Sequence, residues 1–355
     1  MTQREVAVVG FAHAPHVRRT DGTTNGVEML MPCFAQLYSE LGIAQTDIGF
    51  WCSGSSDYLA GRAFSFISAI DSIGAVPPIN ESHVEMDGAW ALYEAYIKVL
   101  TGEVDTALAY GFGKSSAGQL RRILALQTDP YTVAPLWPDS VSIAALQARL
   151  GLDGGQWTAE QMARVALDTF AVADRVDSVE PSASLDELLE RPFFADPLRR
   201  HDIAPITDGA AAVVLAAGDK ARELCENPAW ITGFEHRIES PVLGSRDLTR
   251  SASTTASTRA ATGDDDERNA NAVVPEVPQE QQGVSVATVE AGEDQRRTVF
   301  ADGLDAVAVV TRRNHFMATV QQGVEDLRRA GITMYDQNPW HTRSRAGKDP
   351  LRTLS

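Results

Sequence analysis

The chain has little sulfur, little positive charge and no long apolar run. Its three cysteines, Cys33, Cys52 and Cys225, fit neither a disulfide framework nor a zinc site, and read as reduced, partly buried thiols. No His-x-x-x-His pair occurs among seven scattered histidines, so the pattern suggests no metal centre. The net charge of -17 repels phosphate backbones and excludes nucleic acid as the expected partner; it disfavours an anionic membrane surface equally. No apolar stretch approaches the roughly 20 residues needed to span a bilayer. The N-terminus enters an apolar strand almost at once without the layout of a secretory signal, so the expectation is a cytoplasmic protein.

The most informative absence lies at one corner. Residues Asn80 to Tyr96 read as a strand turning sharply into a helix. Pro77 and Pro78 disfavour helix upstream. Asp87 is an N-cap candidate, because its carboxylate can accept free amides of the first turn. Gly88 permits a tight turn, and Ala89, Leu92, Ala95, Tyr96 and Val99 follow at helical spacing. In many α/β enzymes such a corner carries the nucleophile, where the helix N-terminus favours negative charge. Here it holds neither Cys nor Ser.

Around that corner, apolar strands alternate with helices. Val6 to Gly10 is a short buried strand, and Phe11 to Gly26 a polar loop. His13, His16, Arg18 and Arg19 of that loop either line a site or form a solvated surface. Val27 to Leu41 has helical spacing, stopped by Gly42. Asp47 to Gly54 and Val104 to Gly113 read as strands, and Tyr58 to Ile73 as a helix with a flanking loop. The alternation predicts an α/β fold with a parallel or mixed sheet covered by helices on both faces. Residues 114–200 break the alternation as an excursion able to cover a pocket. It contains a helix-like run from Ser140 to Leu150, a helix opened by Thr158 and running to about Arg175, and a loop from Pro192 to Asp202. Asp208-Gly209 reads as a turn feeding a buried strand, Ala217 to Cys225 as a short helix, and Trp230 to Glu239 as an exposed or edge strand. From about Thr249 apolar periodicity thins. A helix to about Ala261 is followed by an acidic linker, Gly263 to Gln282. A strand at Gly303 to Val310, an amphipathic helix at Phe316 to Ala330 and a basic tail from His341 to Ser355 complete the expectation.

Four segments together resemble the thiolase superfamily, nearest its sterol-carrier-protein thiolase branch, the lipid-transfer proteins of actinobacterial steroid catabolism. Val6 to Gly10 resembles the opening strand. Val84 to Ala91 resembles the Val-Glu-x-x-Cys-x-x-Gly nucleophile corner. Thr158 to Ala166 resembles the helix after the loop domain, and Ile206 to Leu215 the Asp-Gly-Ala-Ala strand. The resemblance covers roughly the first 240 residues. It implies a thiolase-like layered fold with mixed five-stranded sheets and helices on both faces. The domain at 1–240 would carry the excursion; 241–282 would be helix and acidic linker, 283–340 a reduced or rearranged C-terminal part, and 341–355 a tail. Gly88 stands at the family's acyl-accepting Cys, and glycine has no side-chain nucleophile. The later family segments, including a second Cys, do not occur.

The resemblance then implies a thiolase-like subunit of a hetero-oligomer handling acyl-CoA thioesters in steroid or lipid breakdown, without Cys-dependent thiolase chemistry. The alternative is a retro-aldolase cleaving a β-hydroxyacyl-CoA with a small OB-fold partner. Such cleavage needs a base for the hydroxyl proton and donors at the thioester oxygen, but no thiol. His83, Glu85, Asp87 and Tyr110 are the candidates, with helix amides after Gly88 facing the enolate oxygen. Against this stands the reading in which Asp87 only caps the helix and Glu85 lies in a subunit contact. The resemblance implies CoA thioester as substrate, no permanently bound cofactor, and pairing with another thiolase-like subunit through about Ile79 to Met86. A simple acyl-CoA or sterol carrier would need an apolar tunnel; Trp51, Phe64, Phe66, Trp90 and Trp137 read instead as ordinary core.

Overall fold

The computed structural model describes residues 4–15, 17–56, 64–74, 79–85, 87–172, 184–203, 206–240, 242–262, 284–290 and 296–301. The expected linker at Gly263 to Gln282, the strand at Gly303 to Val310, the helix at Phe316 to Ala330 and the tail lie outside these residues.

Strand β1 (Val6–His13) leads through a loop to helix α1 (Gly26–Leu41). Asn25 and Glu28 form a capping box at the start of α1, and Gly42, at φ 62°, closes it. β2 (Phe50–Gly54), α2 (Ser65–Ile73), β3 (Glu81–Val84), α3 (Gly88–Leu100) and β4 (Thr106–Lys114) follow. The excursion carries α4 (Leu120–Leu126), α5 (Ser140–Asp153), α6 (Ala159–Val172), α7 (Leu185–Glu190) and a hairpin, β5 (Phe193–Ala195) with β6 (Leu198–Arg199). The chain then re-enters the sheet as β7 (Asp208–Ala217), followed by α8 (Gly218–Leu224), β8 (Ala229–Arg237), α9 (Ala252–Thr262), β9 (Val284–Glu290) and β10 (Arg296–Ala301).

One mixed sheet holds eight strands in the order β10-β9-β8-β1-β7-β4-β2-β3. β2 runs parallel to both β3 and β4, whereas β7 is antiparallel to its neighbours β4 and β1. Alternation along the strands makes two cores. One face buries Val9, Trp51, Leu108, Tyr110, Ala212 and Val214 against α1 and α2, through Leu30, Phe34, Leu37 and Ile73. The other buries Val8, Phe50, Cys52, Ala109, Val213 and Leu215 against Ala91, Leu92, Ala95 and Val99 of α3. β8 pairs with β1 only at Ala229 and Trp230 and with β9 from there on. Its Phe234 lies 5.1 Å from the Tyr93 ring and 5.4 Å from that of Tyr96, so β8 swings across α3. α9 presses on it at Gly233, where a Cβ would fall 1.9 Å from the Ala261 carbonyl oxygen.

Three expectations change. Trp230 to Glu239 is no edge: β8 lies inside the sheet, paired on both sides. Its exposed-looking sequence reflects partners far away in the chain. Pro192 to Asp202 is a hairpin and a short helical turn rather than a loop. The Arg199 guanidinium fixes it, donating to the carbonyls of Leu189 (2.8 Å) and Arg191 (3.0 Å) and lying 4.4 Å over the Phe193 ring. Asp208 is already strand, paired with Lys114, rather than the turn before it.

Asp208 is fully buried and ties three segments together. Its Oδ2 accepts from the Thr20 amide (2.8 Å), the Thr20 hydroxyl (2.8 Å) and the Ser116 hydroxyl (2.7 Å). Its Oδ1 accepts from the Ser116 amide (3.0 Å). Burial alone would raise this carboxyl, but these donors outweigh it and hold it below the ordinary carboxylate range. The loops after β1 and β4 are thereby pinned to the start of β7. Replacing Asp208 by Ala strands these donors, so Asp208→Ala should cost about 3 kcal/mol or more in urea denaturation, with Asp208→Asn intermediate.

Candidate functional site

The corner forms as its local sequence demands. Asp87 is extended (φ -149°, ψ -178°), and its Oδ1 accepts from the amides of Ala89 (2.9 Å) and Trp90 (3.2 Å), capping α3. Gly88 is the first helical residue and reaches solvent in part.

The helix start is pressed onto the strand ends. A Cβ on Gly54 would lie 1.9 Å from the Asp87 main-chain oxygen. One on Gly111 would lie 2.8 Å from the Gly54 oxygen and 3.4 Å from the Gly88 Cα. Gly54 and Gly88 thus admit no intervening side chain, and Gly111 fills the third place in that stack. Glycine at these strand ends is visible in the sequence; the contacts that require it are not.

The four candidates separate into two groups. His83 pairs with Ser53 across β3 and β2, and Ser53 with Tyr110 across β2 and β4, so these three share a face. His83 Nδ1 lies 2.7 Å from the Ser53 hydroxyl and Nε2 3.3 Å from Glu85. Its ring stacks on Phe66 at 4.6 Å. The Ser53 hydroxyl also bonds the Tyr110 phenol, which is buried edge-on to Phe34 and driven upward in pKa mainly by burial. Glu85, His83, Ser53 and Tyr110 form a chain from an exposed carboxylate to a buried phenol. Asp87 stands apart from this chain, buried at the start of α3. Burial raises its carboxyl to about 6, and the two helix amides only partly oppose the rise.

One expectation fails on geometry. The amides of Ala89 and Trp90, expected to face an enolate oxygen, are already engaged by Asp87. The Asp87 cap, legible in the sequence, consumes the same donors. Ser53 was missed as well; inside the strand Trp51-Cys52-Ser53-Gly54 nothing marks it until β2 is aligned with β3 and β4.

Cys52 is buried under α3 and pushed up in pKa, by burial first and then by Glu94; Cys33 is raised by burial to about 11. Neither is poised as a nucleophile. Arg18 and Arg19 are exposed, and His13 bonds the Ala14 carbonyl through Nδ1 (2.9 Å); His16 lies outside the described residues. The five aromatic residues do not converge. Trp51 is core, Phe66 covers His83, Trp90 meets His236, and Phe64 and Trp137 are exposed. Among the described residues there is no cluster of potential metal ligands, and no helix is long and apolar enough to cross a membrane.

Five strands ordered β3-β2-β4-β7-β1, helices on both faces and a helix springing from the strand ends at the corner define a thiolase-like fold. In sequence the chain is 25% identical over 266 residues to the acetyl-CoA acetyltransferase of Methanothermobacter thermautotrophicus, covering 73% of this chain and 69% of that one. Among solved structures it is similar to the Ltp2–ChsH2(DUF35) aldolase, with a TM-score of 0.60, 16% identity and coverage of 73% of this chain and 70% of that one. It is also similar to the acetyl-CoA acetyltransferase of Bacillus anthracis, with a TM-score of 0.55, 15% identity and coverage of 68% and 73%. No protein-family model matches the chain. The expected sheet of five strands is present, extended here by β8, β9 and β10.

Folded Asp87 holds its proton more tightly than unfolded Asp87. The fold therefore loses stability as pH rises from the ordinary carboxyl value of 3.8 to about 6. Asp87→Asn keeps a cap oxygen and abolishes that slope. In denaturant titrations from pH 4 to 8 the variant should gain on the wild type by about 1–3 kcal/mol above pH 6.

Proposed function

We propose that this chain is a subunit of a hetero-oligomer that acts on acyl-CoA thioesters without an acyl-enzyme, in the degradation of steroids or other lipids. The observation that carries this reading is Gly88 at the first turn of α3, beside a buried carboxyl of raised pKa. The corner offers nothing to acylate, and it offers a base working near neutral pH. The pathway rests on the sequence resemblance, and the non-thiolase chemistry is favoured by the similarity to an aldolase.

The reaction that fits is a retro-aldol cleavage of a β-hydroxyacyl-CoA. Above about pH 6 Asp87 is a carboxylate. It takes the proton of the β-hydroxyl. The bond between the α and β carbons breaks, the β carbon becomes a carbonyl, and the electron pair passes to the α carbon as a thioester enolate. The proton on Asp87 returns to the α carbon, releasing a shortened acyl-CoA. No water, oxidant or covalent intermediate is consumed. Since Asp87 occupies two helix amides, donors for the enolate oxygen come from elsewhere in the assembly.

Assembly would use β3. It pairs with β2 on one side and, among the described residues, ends the sheet on the other, which leaves an edge that another strand could join. A thiolase-like subunit would add there, and a small OB-fold protein is the further partner. A scaffold role without chemistry is the competing reading, favoured by the Asp87 cap. In the purified assembly Asp87→Ala should lower cleavage of a β-hydroxyacyl-CoA by about 100-fold or more, with the elution volume unchanged. Wild-type kcat/KM should fall as pH drops below about 6. Turnover that ignores the substitution removes Asp87 from the chemistry and leaves the scaffold reading. Size-exclusion chromatography with and without co-expressed genomic neighbours tests the partner: a chain that elutes alone in both cases contradicts the hetero-oligomer.

A further inference from the structure

Among the described residues β3 is the last strand on its side of the sheet, and its bonding shows which backbone groups face outward. The carbonyls of Asn80 and Val84 turn towards β2, accepting from the amides of Trp51 (3.0 Å) and Ser55 (3.3 Å). Bonding alternates along a strand, so Glu81 and His83 turn their N–H and C=O groups to the open edge. The register sets Glu81 beside Trp51 and His83 beside Ser53, which puts both side chains on one face. Glu85 follows the strand, and its carboxylate reaches back to His83 Nε2 (3.3 Å), so it joins them there. Glu81 is partly exposed, and the Glu85 side chain is 55% exposed. From Ile79 to Glu85 the chain holds no Lys or Arg.

We propose that the outer edge of β3 takes a strand of a different protein, one presenting two Lys or Arg residues at the spacing of Glu81 and Glu85, and rejects a second copy of this chain. The inference rests on the hetero-oligomer reading above and names the chemistry of its partner. The open backbone groups make the edge a place for a strand; the carboxylates decide which strand. Two copies joined here would run antiparallel about a two-fold axis. Both carboxylates of each copy would then crowd one face of the seam, with no Lys or Arg from either edge to offset them. In the register centred on His83, Glu81 of each copy falls opposite Glu85 of the other. Like charges directly opposite destabilise a strand pair, whereas opposite charges stabilise it. The net charge of -17 adds to the repulsion between copies. A partner with basic residues at those two places removes the penalty and gains two cross-strand ion pairs.

The test uses full-length chains in sedimentation velocity at low salt, with one species fluorescently labelled. The double variant Glu81→Lys/Glu85→Lys supplies the basic strand on an identical backbone. Mixed one to one with the wild type, it should form a dimer about tenfold or more tighter than either forms alone, and about 0.5 M salt should remove the advantage. Glu81→Pro in the wild-type partner removes an outward N–H and leaves the bonds to β2 in place, so it should abolish the mixed dimer. Glu81→Gln loses the same charge, keeps the N–H and should only weaken it. If the lysine variant does not fold, Glu81→Gln/Glu85→Gln decides: freed of repulsion, it should self-associate more tightly than the wild type, and equal self-association overturns the proposal. A wild-type dimer that Glu81→Pro abolishes also overturns it. So does a mixture no tighter than its components, or a mixed dimer that survives Glu81→Pro. The hetero-oligomer reading fails separately, when the chain elutes alone beside its co-expressed neighbours; the mixed variants decide the charge rule without them.

Discussion

The seating of the α3 N-terminus on the ends of β2 and β4 is the constraint on which the rest depends. The Asp87 carbonyl lies where Gly54 would carry a Cβ, and Gly111 backs the stack beneath Gly88. Backbone against backbone leaves no adjustable side chain, so the helix start has one position. That position buries Asp87, and burial raises its pKa to about 6. It also brings Trp90 under β8. A methyl group at Gly54 would force helix and sheet apart, whereas polar changes on the exposed face of α3 would leave them in place.

Around this corner the fold separates two kinds of polar chemistry. Asp208 is a carboxylate saturated by four donors, held ionised and structural. Asp87 accepts two amides through one oxygen, and desolvation prevails. Both side chains are shielded from solvent, and the outcome turns on the balance of desolvation against donors: four donors outweigh it at Asp208, two do not at Asp87. The relay from Glu85 through His83 and Ser53 to Tyr110 lies on the opposite face of the sheet, with its hydroxyl members enclosed by core. It stiffens the edge strand β3 and fixes the side chains that a neighbouring strand would meet.

Much of the corner was legible in the chain. The Asp87 cap, the start of α3 at Gly88 and the stop of α1 at Gly42 follow from signals within one helical turn. The capping pair Thr158 and Gln161 opens α6 for the same reason, each side chain bonding the other's amide. What escaped depends on residues far apart. Asp208 reads as a turn residue until Thr20 and Ser116 are seen to donate to it. Ser53 is anonymous until two neighbouring strands align with it. The amides after Gly88 cannot serve both the cap and a substrate oxygen, and only the folded geometry shows that the cap takes them. β8 looked like an edge because its exposed face is covered by an element distant in sequence.

By itself, the sequence determined the alternation of strands and helices, the cap on α3 and the missing nucleophile. Hydrophobic period, turn residues and side-chain chemistry act over a few positions and need no knowledge of the rest of the chain. Only the tertiary structure decided that Asp87 is buried enough to titrate near 6, that two helix amides are already taken, and that His236 lies against Trp90. Desolvation and ring contacts arise from packing between distant segments, and no local pattern encodes them.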